Sequence, residues 1–213
     1  MIAWPIAVAR DSGLFDRIVV STDSEEIAEV AQSFGAETPF VRPAELADDY
    51  TGTTAVIRHA VEALKPAGYD FESVFCIYPT NPFLHVEYLK QGHELITSGG
   101  APSAYTVTTF PYPIYRARRI NERGELEVIW PEYGKTRSQD LPEAWQDAGQ
   151  FYCARTDAFL EHGGFGMPGV RPVILPRHLV HDIDTEEDWT RAEMMFRAVP
   201  SPLDGHVEQK ETQ

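Results

Sequence analysis

The chain is short of cations. It carries 18 Lys and Arg against 33 Asp and Glu, for a formal charge of −15. That balance excludes a general nucleic-acid binder, which must neutralise phosphates, and a protein that lies on anionic lipid. An anionic small substrate would need its own local cluster of Arg, Lys or metal. Cysteine is scarce as well, with only Cys76 and Cys153. Both fall in apolar, strand-like runs with no His nearby in sequence, so they read as buried thiols in a reducing cytoplasm rather than as catalytic groups. No apolar run approaches the roughly 18 residues of a membrane span. Residues 2–9 imitate a signal peptide but lack a basic start and carry Pro5, so the expected location is cytoplasmic. The seven His show neither H-x₃-H nor H-E-x-x-H spacing, and a zinc site gains no support. G-x-S-x-G and G-x-x-x-x-G-K-[ST] are both missing, which leaves hydrolase and P-loop readings without a basis.

What is present is an α/β rhythm. A length of 213 residues suits one domain with a substantial core. Residues 2–11 form an amphipathic pattern stopped by Ser12-Gly13. Residues 18–22 and 38–41 read as short strands around a helix over 25–34, capped by Asp23-Ser24, with Ile27, Val30, Ala31 and Phe34 as its apolar stripe. A helix is expected over 53–64. Residues 74–78 are nearly all apolar, as in a strand buried on both faces. A helix over 86–97 and a strand over 103–109 follow. Strand 149–153, helix 156–162, strand 173–175 and helix 186–198 then resume the pattern after an irregular stretch, 110–146, rich in Pro, Tyr, Arg and Glu. That stretch reads as an inserted arm with hairpin-like pieces around 121–124. The fold class is therefore α/β with a mainly parallel sheet, as one domain over 1–198 and a polar, disordered tail over 199–213.

The run His181-Asp182-Ile183-Asp184-Thr185 carries most of the chemistry. Residues i and i+2 of an extended segment point to the same side, so Asp182 and Asp184 can face one hard cation. Oxygen ligands with bound water suit Mg²⁺, and a metal beyond the carboxyl edge of an α/β sheet is a place for a nucleotide polyphosphate. The simpler alternative is a helix cap by Asp184 or Thr185, which explains one acid and not two. Tyr78-Pro79-Thr80-Asn81-Pro82-Phe83 follows the most apolar strand, where Thr80 and Asn81 offer hydrogen bonds on a stiffened loop. Lys135-Thr136-Arg137-Ser138-Gln139-Asp140 is a candidate anion anchor or a solvated loop. Gln146-Asp147-Ala148-Gly149-Gln150-Phe151-Tyr152 could read sugar hydroxyls and amides, or satisfy the backbone of a bent edge.

These segments, with Ile18-Val19-Val20-Ser21-Thr22-Asp23-Ser24-Glu25-Glu26-Ile27-Ala28 and Phe40-Val41-Arg42-Pro43-Ala44-Glu45-Leu46-Ala47, resemble the acylneuraminate cytidylyltransferase family, which includes CMP-sialic acid synthetases. Phe110-Pro111-Tyr112-Pro113-Ile114, Ser138-Gln139-Asp140-Leu141-Pro142-Glu143 and residues 147–152 are most similar to its pseudaminic acid branch. The resemblance runs in order from residue 1 to about 198. It implies a Rossmann-like, three-layer nucleotidyltransferase fold of the nucleotide-diphospho-sugar transferase type, with 110–146 as a dimerisation arm. It also implies transfer of CMP from CTP to the anomeric hydroxyl of a nine-carbon acidic sugar, with release of pyrophosphate. Asp182 and Asp184 match the family's Mg²⁺-binding pair. Thr80 and Asn81 match the loop near nucleotide and sugar. Lys135, Arg137, Gln139, Gln150 and Tyr152 fall in segments that border the acidic sugar, with Arg42 and Thr54 as further, weaker matches. The implied partners are CTP, an acidic nonulosonic sugar and a second copy of the chain, with no nucleic acid and no membrane.

One departure stands out. The family begins with an apolar strand, a basic Gly-rich loop of the type A-R-G-G-S-K, a Lys-Asn pair and a Gly-Lys-Pro, and this chain opens at the helix that follows them. The resemblance therefore implies an N-terminally truncated polypeptide that is impaired or inactive as written. Two alternatives accompany the main expectation. One is a non-catalytic remnant that dimerises or binds sugar; the other is a cytidylyltransferase for sialic, legionaminic or an eight-carbon ketodeoxy acid.

Overall fold

A computed structural model describes residues 1–199. The core is a four-stranded sheet of order β1-β5-β2-β6, built from β1 (Ser73–Ile77), β2 (Ser103–Thr109), β5 (Trp145–Arg155) and β6 (Arg171–Ile174). β2 and β6 pair in parallel, and β5 runs antiparallel to both β1 and β2. Three strands thus share one direction, with β5 threaded between them in the other. Its residues alternate with period two. Phe151 and Cys153 face one core cluster, while Tyr152 and Ala154 face another.

The first face is covered by α1 (Ala3–Ser12) and α4 (Val86–Ile96), which with Leu84 of the turn before α4 bring Val8, Leu89 and Ile96 onto Phe151 and Val173. On the second, α3 (Thr53–Leu64) and α5 (Thr156–His162) seat Ile57, Ala158 and Phe159 on Cys76 and Ala154. Helix, sheet and helix form three layers. Gly92 of α4 is a close approach: a Cβ there would lie 2.8 Å from the Phe151 ring. Helix boundaries follow their caps. Gly13 adopts φ 65° after α1, Ser24 accepts from the Ile27 N–H at the start of α2 (Glu25–Ser33), and Thr185 and Asp188 close a capping box at α6 (Glu186–Ala198).

Several expectations change. The strands expected at 18–22 and 38–41 shrink to one parallel bridge, Val19 with Glu37, and one bond from the Arg42 N–H to the Thr22 carbonyl. Of the α2 stripe, only Ala31 is buried; Ile27, Val30 and Phe34 remain 46%, 41% and 44% exposed. β1 is less covered than its composition suggests, with only Cys76 fully buried. In the β1–β5 ladder the Tyr78 N–H bonds the Gln150 carbonyl, so alternate residues turn their backbone groups the other way. The groups of Ser73, Phe75 and Ile77 are the outward ones, and among the described residues they bond no further strand. The arm contains the expected hairpin, β3 (Arg118–Ile120) with β4 (Leu126–Val128), turned at Asn121 and Gly124. Val199 packs against the cluster of Phe83, Leu179 and Ala192. The tail expected beyond it, from Pro200 on, lies outside the described residues.

Candidate active site

β5 does not pair evenly with β2. Between Tyr105↔Tyr152 and Val107↔Asp147, β2 advances from Tyr105 to Val107 while β5 spans Tyr152 back to Asp147. The excess bulges outward, and bulges re-aim side chains at the rims of sites. The Thr106 hydroxyl accepts from both the Gln150 and Phe151 N–H groups at 3.3 Å. Gly149 takes φ 61°, in the left-handed region, and donates its N–H to Asp147 Oδ1 at 2.8 Å. This bulge forms one wall of a cavity of about 410 Å³.

Tyr78, just past β1, the stretch Gln146 to Gly149, and Tyr152 line that wall; Val180, His181, Asp182, Asp188 and Arg191 line the other. The cavity thus lies beyond the carboxyl ends of β1 and β6, where α/β sheets bind ligands. Tyr152 donates to Asp147 Oδ2 at 2.6 Å, and Tyr78 meets the Tyr152 ring edge-on. Burial, and then the bond to Asp147, push the Tyr152 phenol above its ordinary range, so it stays protonated and donates.

The opposite wall follows from the alternation read in the sequence. Ile183 turns inward onto the Phe83, Leu179 and Ala192 cluster, leaving Asp182 and Asp184 exposed on either side of it; Asp182 lines the cavity and Asp184 does not. Partial burial, then the charges of Asp184, Asp188 and Asp147, raise the Asp182 carboxyl above its usual range. Asp188 shifts the other way, lowered chiefly by the Thr185 hydroxyl bonded to it. Burial pushes His181 below the ordinary imidazole range.

Among the described residues no group of three or more His, Cys, Asp or Glu is arranged to hold a metal. Mg²⁺ does not require one. It keeps several waters and binds through one or two carboxylates and substrate phosphates. The uncompensated negative charge around Asp182 is what a divalent cation relieves, so Asp182 and Asp184 fit such an ion.

The other candidates scatter. Gln150 is 2% exposed and lies beneath the cavity, donating Nε2 to the Leu179 carbonyl at 2.6 Å. Asn81 is 5% exposed; its Oδ1 accepts from the Phe83 N–H at 3.3 Å, and its buried Nδ2 has no partner among the described residues. Thr80 is exposed and does not line the cavity. Lys135, Arg137 and Gln139 sit on the exposed arm, away from the cavity of their own chain, and Arg137 is held bidentately by Asp140 at 2.6 and 3.1 Å. Arg42 pairs with Asp23 at 3.3 Å. The sequence reading did not single out Asp188 or Arg191 as site residues. Their signal was present in the i, i+3 spacing, which places both on one helix face just after the Asp182 and Asp184 run.

Comparison with known proteins narrows the chemistry. Residues 1–136 match the family described as Cytidylyltransferase. A pseudaminic acid cytidylyltransferase of Campylobacter jejuni is 40% identical over 197 residues, covering 92% of this chain and 85% of that protein. A CMP-N,N'-diacetyllegionaminic acid synthase of Legionella pneumophila is 30% identical over 206 residues, covering 92% of this chain and 84% of that protein. The solved structure of a CMP:2-keto-3-deoxy-manno-octonic acid synthetase complexed with CTP superposes with a TM-score of 0.54. At 14% identity over 90% of this chain and 87% of that one, it shares the fold.

Proposed function

The chain belongs to the cytidylyltransferase family, and from that premise we propose that it transfers CMP from CTP to the anomeric hydroxyl of pseudaminic acid, releasing pyrophosphate. The observation that carries the substrate choice is the 40% identity, over 92% of the chain, to an enzyme named for that sugar. The cavity suits the reaction class, because its acids converge from two walls onto one opening.

Asp182 and Asp184 are the proposed ligands of Mg²⁺. The ion would neutralise charge at the α-phosphate and lower the pKa of the attacking hydroxyl. The protein's own part is positioning. Asp147, fixed by Tyr152 and the Gly149 N–H, presents acceptor capacity to sugar hydroxyl or amide groups. Tyr78 and Tyr152 offer ring surface to the sugar body. Asn81 holds the turn after β1 through its bond to the Phe83 N–H, and its Nδ2, without a partner among the described residues, is buried there. The arm exposes Tyr112, Ile120, Leu126 and Ile129, an apolar surface consistent with assembly as a homodimer.

The test is pyrophosphate release by the 213-residue chain with CTP and Mg²⁺, comparing pseudaminic, legionaminic, sialic and eight-carbon ketodeoxy acids side by side. Highest kcat/KM with pseudaminic acid supports the proposal. Preference for another acid moves the substrate within the family. No turnover with any acid leaves the non-catalytic, sugar-binding alternative. Gel filtration at micromolar concentration decides the dimer.

A further inference from the structure

Asp182 stands on a segment with few directional ties to the sheet. β6 ends at Ile174, the Leu175 N–H still bonds the Val107 carbonyl at 2.8 Å, and α6 begins at Glu186. Between them the backbone bonds are local, from the Leu179 N–H to the Pro176 carbonyl and from the Val180 N–H to that of Arg177. Among the described residues, residues 176–184 are hydrogen-bonded toward the sheet at two points. Exposed Arg177 donates to the Phe110 and Pro111 carbonyls, just past β2, at 3.2 and 3.5 Å. Buried Gln150 donates Nε2 to the Leu179 carbonyl at 2.6 Å. The remaining attachment is apolar: Leu179 and Ile183 pack with Phe83 and Ala192, and Val180 packs against the cluster of Phe151. Apolar contact is non-directional, so it holds the segment down without fixing its register.

Gln150 is a stiff base for that bond. Its N–H donates to the Thr106 hydroxyl of β2 at 3.3 Å, and its carbonyl accepts from the Tyr78 N–H just past β1 at 3.0 Å. The backbone of this one residue is thus tied on both sides, within the bulge that also carries Asp147. Its side chain is 2% exposed and does not line the cavity. It reaches Leu179, three residues before Asp182 on the opposite wall. A carbonyl only accepts, so the amide must present its nitrogen, and Oε1 is left buried with no partner among the described residues. A half-paired amide in so dry a place is a poor stabiliser, because the orphan acceptor offsets the bond that is made. What the bond does supply is a fixed distance between the two walls.

We infer that Gln150 is a positioning residue: by holding Leu179 it sets the Asp182 wall against the Asp147 wall, and it touches neither substrate nor metal itself. The inference rests on the CMP-transfer reading and adds the group that keeps its proposed metal ligands in place. Hydrogen bonds behind a site orient the groups that do the binding. A displacement of about 1 Å at such a group costs on the order of 10²-fold in rate.

The experiment uses the full chain with Gln150→Met, which keeps the volume and removes the amide, and with Gln150→Glu. Leu89→Ala, in the core beneath α4, is the control for lost stability. Values of kcat and KM are measured for CTP and for the acid, and Mn²⁺ binding is followed by electron paramagnetic resonance without nucleotide. Gln150→Met should lower kcat, and weaken Mn²⁺ binding, by on the order of tenfold to a hundredfold, while both KM values stay within about threefold. Leu89→Ala, measured where it is folded, should change none of these. Gln150→Glu adds a pH readout. Its carboxyl, kept protonated by burial, can donate to the Leu179 carbonyl, and once ionised it cannot. Its kcat relative to wild type should therefore be high at about pH 6 and fall to the Gln150→Met level by about pH 8.

Unchanged kcat and Mn²⁺ affinity in Gln150→Met overturn the inference and leave CMP transfer intact. A rise in KM for the acid with kcat unchanged overturns it too and makes Gln150 a direct sugar contact. Equal losses in Leu89→Ala also overturn it, since stability then explains them. If Gln150→Met does not fold, a pH-independent ratio of Gln150→Glu to wild type overturns it. A wild-type chain that binds Mn²⁺ without turnover removes the transfer reading only, and the Mn²⁺ comparison still decides Gln150. A wild-type chain that neither binds the ion nor turns over removes both.

Discussion

Helices α2 and α4 carry similar amphipathic patterns and end in different surroundings. On α4, Leu89 is fully buried, and Gly92 and Ile96 press against the Phe151 side of the sheet. On α2, Ile27, Val30 and Phe34 stay exposed, and only Ala31 is buried, against Ile6 and Ala36. The apolar stripe specifies a helix and a face. Burial of that face needs a layer to receive it, and the sheet β1-β5-β2-β6 provides one beneath α4, while among the described residues α2 meets α1 and the Val19–Glu37 bridge region and no sheet. The candidate site has one wall rooted in the sheet, at the β5 bulge, and the other on the loop before α6 and on α6 itself.

The strongest test of this contrast is paired truncation. Leu89→Ala should cost about 2–5 kcal/mol in denaturant unfolding, whereas Ile27→Ala should fall within about 0.5 kcal/mol. Equal costs would mean that the α2 face is covered in solution. Next come the acids of the site. Asp182→Asn and Asp184→Asn should each lower kcat by on the order of 10²–10³-fold, the scale for losing one electrostatic contact to the reacting group. Thermal stability should move the other way for Asp182→Asn. The folded carboxyl is raised, so above its titration the wild type keeps a charge that the fold disfavours, and that penalty disappears as pH falls through the raised value. Asp182→Asn should therefore melt higher than wild type at pH 7 and the same at about pH 3, below the ordinary carboxylate range. Added Mg²⁺ should raise the wild-type midpoint and leave that of Asp182→Asn unmoved.

Smaller effects sharpen the same comparison. Gly92→Ala should destabilise by about 1–3 kcal/mol through overpacking against Phe151, despite the better helix propensity of Ala. A neutral result would mean that α4 lies farther from the sheet. Thr185→Ala should cost about 1 kcal/mol by removing the cap of α6, and it should free Asp188 to approach Arg191. Denaturant unfolding of Thr185→Ala measures the loss, and an unchanged midpoint would mean that the capping box adds nothing in solution. Last, native protein at pH 8 should resist alkylation at Cys76 and Cys153. Burial pushes both thiols up to about 12, and labelling should appear only on unfolding.

Much of this was legible along the chain. Local stop and start signals set α1, α5 and α6 within a residue, because caps and left-handed glycines act over only a few positions. The alternation around Ile183 placed Asp182 and Asp184 outward together for the same local reason. Pairing partners were not legible. Residues 18–22 have the composition of a strand, yet backbone groups become a sheet only beside other strands, and here they meet one bridge. The bulge in β5 left no local mark beyond Gly149, since it arises from the register between β2 and β5. Gln150 looked like a substrate contact by its type, and in the fold its buried Nε2 is tied to the Leu179 carbonyl, a meeting across 29 residues that the sequence does not show.

The amino-acid order alone determined the α/β class, the helix limits, the outward acid pair and the family resemblance, all of which depend on interactions within a turn or two of chain. Tertiary structure decided which apolar faces are covered, and that Asp147, Asp182 and Arg191 share one cavity. Those outcomes depend on residues far apart in sequence meeting at fixed distances, and local preference does not encode such meetings.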